Sequence, residues 1–167
     1  MPEESTIMQE TSSPKRRGAI GMKRIRRATD KEDIIQLLMA EGGLFREIWR
    51  LLLFAALLGH KQSRREELGD TEAGRGIDQS SFSNNPSWPG VLYLLGLVET
   101  DATDVLCASE EAEDHRITVF EEFANGGLAI LKEEFTARNC NLDTLLLFIE
   151  TQASATPSKP VNLKIAI

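Results

Sequence analysis

Side chains able to move a proton, hold a soft metal or attack an electrophile are few here: the histidines are His60 and His115, the cysteines Cys107 and Cys140, and the tyrosine Tyr93. His60 follows Gly59 at the end of an apolar run, where a helix dipole favours a cation, so a capping or surface role is expected of it. His115 stands eight residues after Cys107 with no Cys-x-x-Cys, His-x-x-His or Glu-x-x-His beside it, and a zinc site needs such spacing. Gly69, Gly74 and Gly76 neither follow a strand nor open a helix, and no Gly-Lys-Ser/Thr occurs, so no phosphate loop is expected. Ser81 or Cys140 could meet a histidine only through the fold. No catalytic residue, metal site or cofactor is therefore assigned.

Carboxylates are more plentiful. Asp101, Asp104, Glu110, Glu111, Glu113 and Asp114 crowd the stretch from Thr100 to Arg116, which is expected to be an exposed turn and short helix with a solvated face. The rival is a small nuclease or other enzyme in which Asp101, Asp104, Glu121 and Glu122 hold a divalent ion, since magnesium sites are built from carboxylates and water.

The charge distribution supplies the other candidate. A net charge of −7 argues against nucleic acid, yet Lys15, Arg16, Arg17, Lys23, Arg24, Arg26 and Arg27 form a basic run free of acids beside a strongly acidic remainder. As a site, this arm would contact duplex DNA through phosphate alone, because it holds no aromatic for stacking and no framework to set Arg against base edges. Otherwise it is a solvated tail. Lys61, Arg64 and Arg65 would extend the same surface.

The elements that must position these groups read as helices. Thr29 and Glu32 form a capping box ahead of a helix whose stripe is Ile34, Leu37 and Leu38, turned by Glu41, Gly42 and Gly43. Residues 44–61 follow, unbroken apolar from Leu51 to Leu58, and are expected to be the buried central helix, covered nearly all round. That run is far short of the roughly 20 residues that cross a bilayer, so no membrane is expected. Residues 62–87 are a long connection with Ile77 and Phe82 as anchors. Val91 to Glu99 reads as a second buried helix. Residues 117–135 carry the clearest helical period, continuous through Asn125-Gly126-Gly127, with Gly127 marking a close helix crossing and Gly126 more tolerant of a side chain. Leu142 to Ile149 gives a last helix, and the end, VNLKIAI, alternates like an edge strand.

The fold expected is all-α, a compact bundle of five or six helices around the buried central helix. The divisions are a disordered basic arm at 1–27, a helical domain at 28–153 and an extended tail at 154–167. Two cysteines make no disulfide framework and the polar, acidic start lacks a secretory pattern, so the expected location is cytoplasmic.

Taken in order, RRATDKEDI (Arg26 to Ile34), FREIWRLLLFAALLGHK (Phe45 to Lys61) with Arg64-Arg65, and ITVFEEFANGGLAIL (Ile117 to Leu131) resemble the small accessory proteins associated with the Dnd system, found beside bacterial DNA phosphorothioation genes. The resemblance covers roughly residues 24–150. It implies a place in antiviral defence or restriction linked to sulfur-marked DNA and brings no catalytic motif. The expectation is a non-enzymatic accessory component that binds other proteins of that system, the DNA backbone, or both.

Overall fold

The computed structural model describes residues 23–155 apart from 41, 42, 73, 84, 137 and 138. Among these the chain forms five α-helices: α1 (Glu32–Met39), α2 (Ile48–Lys61), α3 (Trp88–Thr100), α4 (Glu110–Glu134) and α5 (Leu142–Ser154). Short 3-10 turns precede α1, α3 and α4 at Thr29–Lys31, Gln79–Phe82 and Thr103–Leu106. There is no strand among the described residues, only two isolated antiparallel bridges, Ile25 with Ile77 and Ala28 with Thr71. The all-α expectation holds. None of the described helices is long and apolar enough to cross a membrane. The disorder expected of the first residues, the basic triplet at 15–17 and the edge strand expected at the end lie outside the described residues.

The buried central helix is α4, not α2. Every residue from Phe123 to Leu131 is buried, whereas α2 leaves Leu57 48% exposed and Leu53 and Phe54 only partly covered. Sequence hydropathy points the wrong way because α4 buries small and polar residues, Ala124, Asn125, Gly126, Gly127 and Ala129, in its middle. Those small residues let α2 approach. A Cβ on Gly127 would lie 1.9 Å from the Ala55 carbonyl oxygen, and one on Gly59 would lie 2.2 Å from the Phe123 carbonyl oxygen. Gly126 is equally blocked, at 2.1 Å from the Arg64 carbonyl oxygen, so the tolerance expected there is absent. α4 is continuous through this triplet, as its period predicts.

Its start corrects another expectation. The acidic stretch supplies the first turn of α4: the Ser109 hydroxyl accepts from the Ala112 N–H, and Glu110, Glu111 and Glu113 lie at the positive end of the helix dipole. Thr29 and Glu32 form no capping box. Thr29 sits in the 3-10 turn and donates its hydroxyl to the Asp70 carbonyl at 2.9 Å, while Glu32 pairs with Arg27 and Arg75.

The long connection is pinned by the anchors its sequence suggests. Ile77 pairs with Ile25, and Phe82 is fully buried, stacked on Trp88 with centroids 4.0 Å apart and set edge-on to Phe120. On α3, Trp88, Leu92, Leu95 and Gly96 face the core, but Leu94 is 62% exposed, so that helix is covered on one side only. The last helix, α5, is capped by the Asn141 side chain accepting from the Thr144 N–H and buries only Leu145 and Phe148.

Alanine at Gly59, Gly126 or Gly127 would have to push α2, or the backbone at Arg64, off α4. Each change should cost about 1–3 kcal/mol or more, as overpacking does, while Gly69→Ala, which meets nothing within 4 Å, should be close to neutral. Urea midpoints of the four variants check this.

Candidate functional site

The described part of the basic segment, residues 23–27, enters the fold instead of leaving it as an arm. Ile25 is fully buried, so the strip from Lys23 to Arg27 is a structural edge and the folded body begins before residue 28. The reason is alternation: with Ile25 turned inward, the backbone N–H and guanidinium of Arg26 close on one carboxylate. Glu121, itself 1% exposed at its side chain, accepts from the Arg26 N–H at 2.5 Å and from Nη2 at 2.8 Å.

Four more of the basic residues expected at a DNA surface are engaged in the same way. Lys23 pairs with Asp114 and, at 3.2 Å, with Glu110. Arg27 contacts Glu32 at 3.2 Å and donates to the Arg75 carbonyl. Arg64 joins Glu66 to Glu133, both at 2.8 Å. Arg65 joins Glu99 of α3 to Glu122 of α4, at 2.7 and 2.5 Å, with its guanidinium over the Phe123 ring. Arg24 lies against Gly76, and Lys61 closes α2. Lys15, Arg16 and Arg17 lie outside the described residues.

These contacts hold the guanidinium groups firmly charged. The Glu121 hydrogen bond raises Arg26 above its ordinary value, and Glu133 followed by Glu66 does so for Arg64. Burial works against the charge on Arg65, and its hydrogen bonds to Glu99 and Glu122, with the charge of those carboxylates, outweigh it.

The carboxylates proposed for a metal are split between two places. Asp101 ends α3 in the left-handed conformation, and Asp104 accepts from the Val105 N–H in the next turn. Glu121 and Glu122 are taken by Arg26 and Arg65. No group of three or more His, Cys, Asp or Glu is placed to hold a metal among the described residues. His60 packs edge-on against Phe123 at 5.3 Å, and His115 is exposed on α4. The Cys140 thiol faces the Leu37 carbonyl, and burial pushes its pKa up; Cys107 is exposed.

Two adjoining clefts flank this ion-pair strip. One is lined by Arg26, Leu68, Thr71, Thr118, Glu121 and Glu122, the other by Thr29, Asp30, Lys31, Glu66, Asp70 and Asn125, with Glu67 and Gly69 shared between them. Sequence reading missed Asn125 and Lys31. Neither has a local pattern: Asn125 reads as part of a helix breaker, and Lys31 as an ordinary solvated lysine.

A family profile described as DNA sulphur modification system-associated protein 4 matches residues 24–165. The chain belongs to that family. The match confirms the resemblance carried by the three motifs, and it begins inside the folded strip, so Arg24, Arg26 and Arg27 fall within it and Lys15, Arg16 and Arg17 outside. No curated protein and no solved structure matches the chain.

If Arg26 is a structural clamp, Arg26→Met should destabilise the fold by about 2–3 kcal/mol. That is at or below the 3–5 kcal/mol for breaking a fully buried pair, because the Arg26 side chain is itself 56% exposed. Arg24→Met should fall within about 0.5 kcal/mol of the parent, as surface changes usually do. Chemical denaturation of both variants provides the comparison.

Proposed function

We propose that this chain is a non-catalytic, protein-binding component of a DNA sulphur modification system, docked on another protein of that system through the outer face of α3. The observation that carries this is the chemistry of that face. From Trp88 to Val98 the helix contains no charged residue; one side is in the core, with Val91 packed at its edge, and the other presents Leu94, Leu97 and Val98 outward, with Leu94 62% and Val98 39% exposed. A helix apolar on all sides is stable where both sides are covered, and a contiguous apolar surface of this kind marks an interaction site.

The partner this face fits is apolar, and it meets charge only at the rim. At one end Glu99 is neutralised by Arg65, and beside the face Arg116 lies 4.3 Å from the Tyr93 ring centroid with its charge turned into the Val105 and Cys107 carbonyls. The family description, which names association with a system, supports a partner drawn from that system. Any role in restriction or antiviral defence would then be exerted through the partner.

The same geometry weighs against DNA contact as the main activity. Five of the residues expected to meet phosphate, Lys23, Arg26, Arg27, Arg64 and Arg65, are paired with carboxylates of the chain itself. Phosphate contact would have to compete with those pairs. It would also be removed by salt, at a log–log slope of about −0.9 for each contact to B-DNA.

The test is pairwise co-purification of the tagged chain with each protein of the sulphur modification system. Leu94→Arg should abolish capture without lowering the melting temperature, because Leu94 has little packing to lose. In parallel, removal of residues 1–22, which spares Ile25, should leave capture unchanged. Capture that survives Leu94→Arg and is lost with residues 1–22 would move the binding surface from α3 to the basic N-terminal residues.

A further inference from the structure

Of the two clefts, the one beside Asn125 has chemistry left unused. In its neighbour the deep carboxylates are spent on Arg26 and Arg65. Around the Asn125 cleft, of about 300 Å³, stand Asp30, Glu66, Glu67 and Asp70 against a single lining cation, Lys31. Lys31 contacts Asp30 at 2.6 Å and Glu66 at 3.5 Å, and Arg64 also holds Glu66. Lys132 donates to the Asp30 carbonyl. No ion pair or hydrogen bond engages the side chains of Glu67 and Asp70 among the described residues, so two carboxylates face the opening with their charge uncompensated.

A second observation is independent of this charge. Asn125 is 5% exposed, and its Nδ2 donates to the carbonyls of Glu66 and Glu67, at 3.4 and 3.0 Å. That fixes the orientation of the amide, because the opposite flip would set oxygen against two carbonyl oxygens. Oδ1 is consequently a buried acceptor with no donor, the one such side-chain atom among the described residues, and a buried acceptor without a donor costs about 1–3 kcal/mol. The cleft therefore asks for a cation that carries several hydrogen-bond donors.

A bare divalent ion does not fit the arrangement. It requires oxygens converging at 2.0–2.6 Å, and the carboxylates here form no group placed to hold a metal. A guanidinium fits better: it is planar, always charged and presents five donors in different directions, so it can meet separated carboxylates and a neutral amide oxygen at once.

We propose that the cleft bounded by Thr29–Lys31, Glu66–Asp70 and Asn125 receives the guanidinium head of an arginine presented by the protein that docks on this chain. The inference rests on the protein-binding reading above and adds a specific anchor to it. Arg65 ties the two regions together, since it bridges Glu99 at the end of α3 to Glu122 beside the clefts.

The test uses the full chain and N-acetyl-arginine amide as the probe, followed by two-dimensional amide NMR. The expected result is a saturable shift of the Gly69 backbone amide and the Asn125 side-chain amide in the range of about 1–10 mM, the strength of a single anchoring contact. The neutral isostere N-acetyl-citrulline amide should give no shift. The double variant Glu67→Gln, Asp70→Asn should lose the response at least tenfold while keeping its melting temperature, because the Asp70 contact with Thr29 is made by its carbonyl. Equal shifts with citrulline, an unchanged response in the double variant, no response to arginine, or tighter binding of magnesium to the same amides would each overturn the proposal. If arginine fails here while Leu94→Arg still abolishes capture, the cleft inference falls and the docking face stands.

Discussion

The structure depends on a backbone-to-backbone contact between α2 and α4. Gly59, Gly126 and Gly127 are the places where one helix, or the chain just beyond it, lies against the other with no room for a methyl group. Because α2 lies so close, the Arg64 carbonyl rests on Gly126, the Glu66 N–H reaches the Glu122 carbonyl, and the chain from Arg64 to Asp70 is carried along the surface of α4. That path closes over Asn125 and makes the clefts. It also brings Arg64 and Arg65 to the carboxylates of α4. Moving α2 outward by the width of one side chain would release all of these together.

The second constraint is electrostatic. An acidic chain can bury Glu121 in its central helix only if a cation is delivered to it, and the strip from Lys23 to Arg27 makes that delivery while Ile25 anchors it. Of the basic residues clustered in sequence, Lys23, Arg26 and Arg27 therefore end dispersed in space, each with its own carboxylate on α1 or α4. Those three are structural counter-ions, and Glu67 and Asp70 are among the acids left without one.

Much of the fold was legible because it follows from local rules. The period of α4, its continuity through the glycines, the anchors Ile77 and Phe82, and the family resemblance all follow from residues close in sequence. The rest depends on which surfaces meet. An unbroken apolar run marks α2 as a core helix, yet nothing in the run says that Leu57 faces outward or that α4, poorer in large side chains, is the one enclosed. The same limit applies to α3, whose outer Leu94 and Val98 are indistinguishable in sequence from its inner Leu92 and Leu95. Arg26 and Glu121 are 95 residues apart, and no pattern links them. Asn125 reads as a turn signal and is a buried amide holding a loop.

Central to the proposed function is that this family member works by being covered along α3 while Lys23, Arg26, Arg27, Arg64 and Arg65 serve the fold. Hydrogen–deuterium exchange of the chain alone and bound to its partner measures this directly. Exposed apolar side chains do not by themselves slow exchange, so α3 should open measurably in the free chain, and binding should add protection over residues 91–98 and leave 23–27 unchanged. Protection gained at 23–27 and 61–65 with none on α3 would contradict the account and place the working surface on the basic residues.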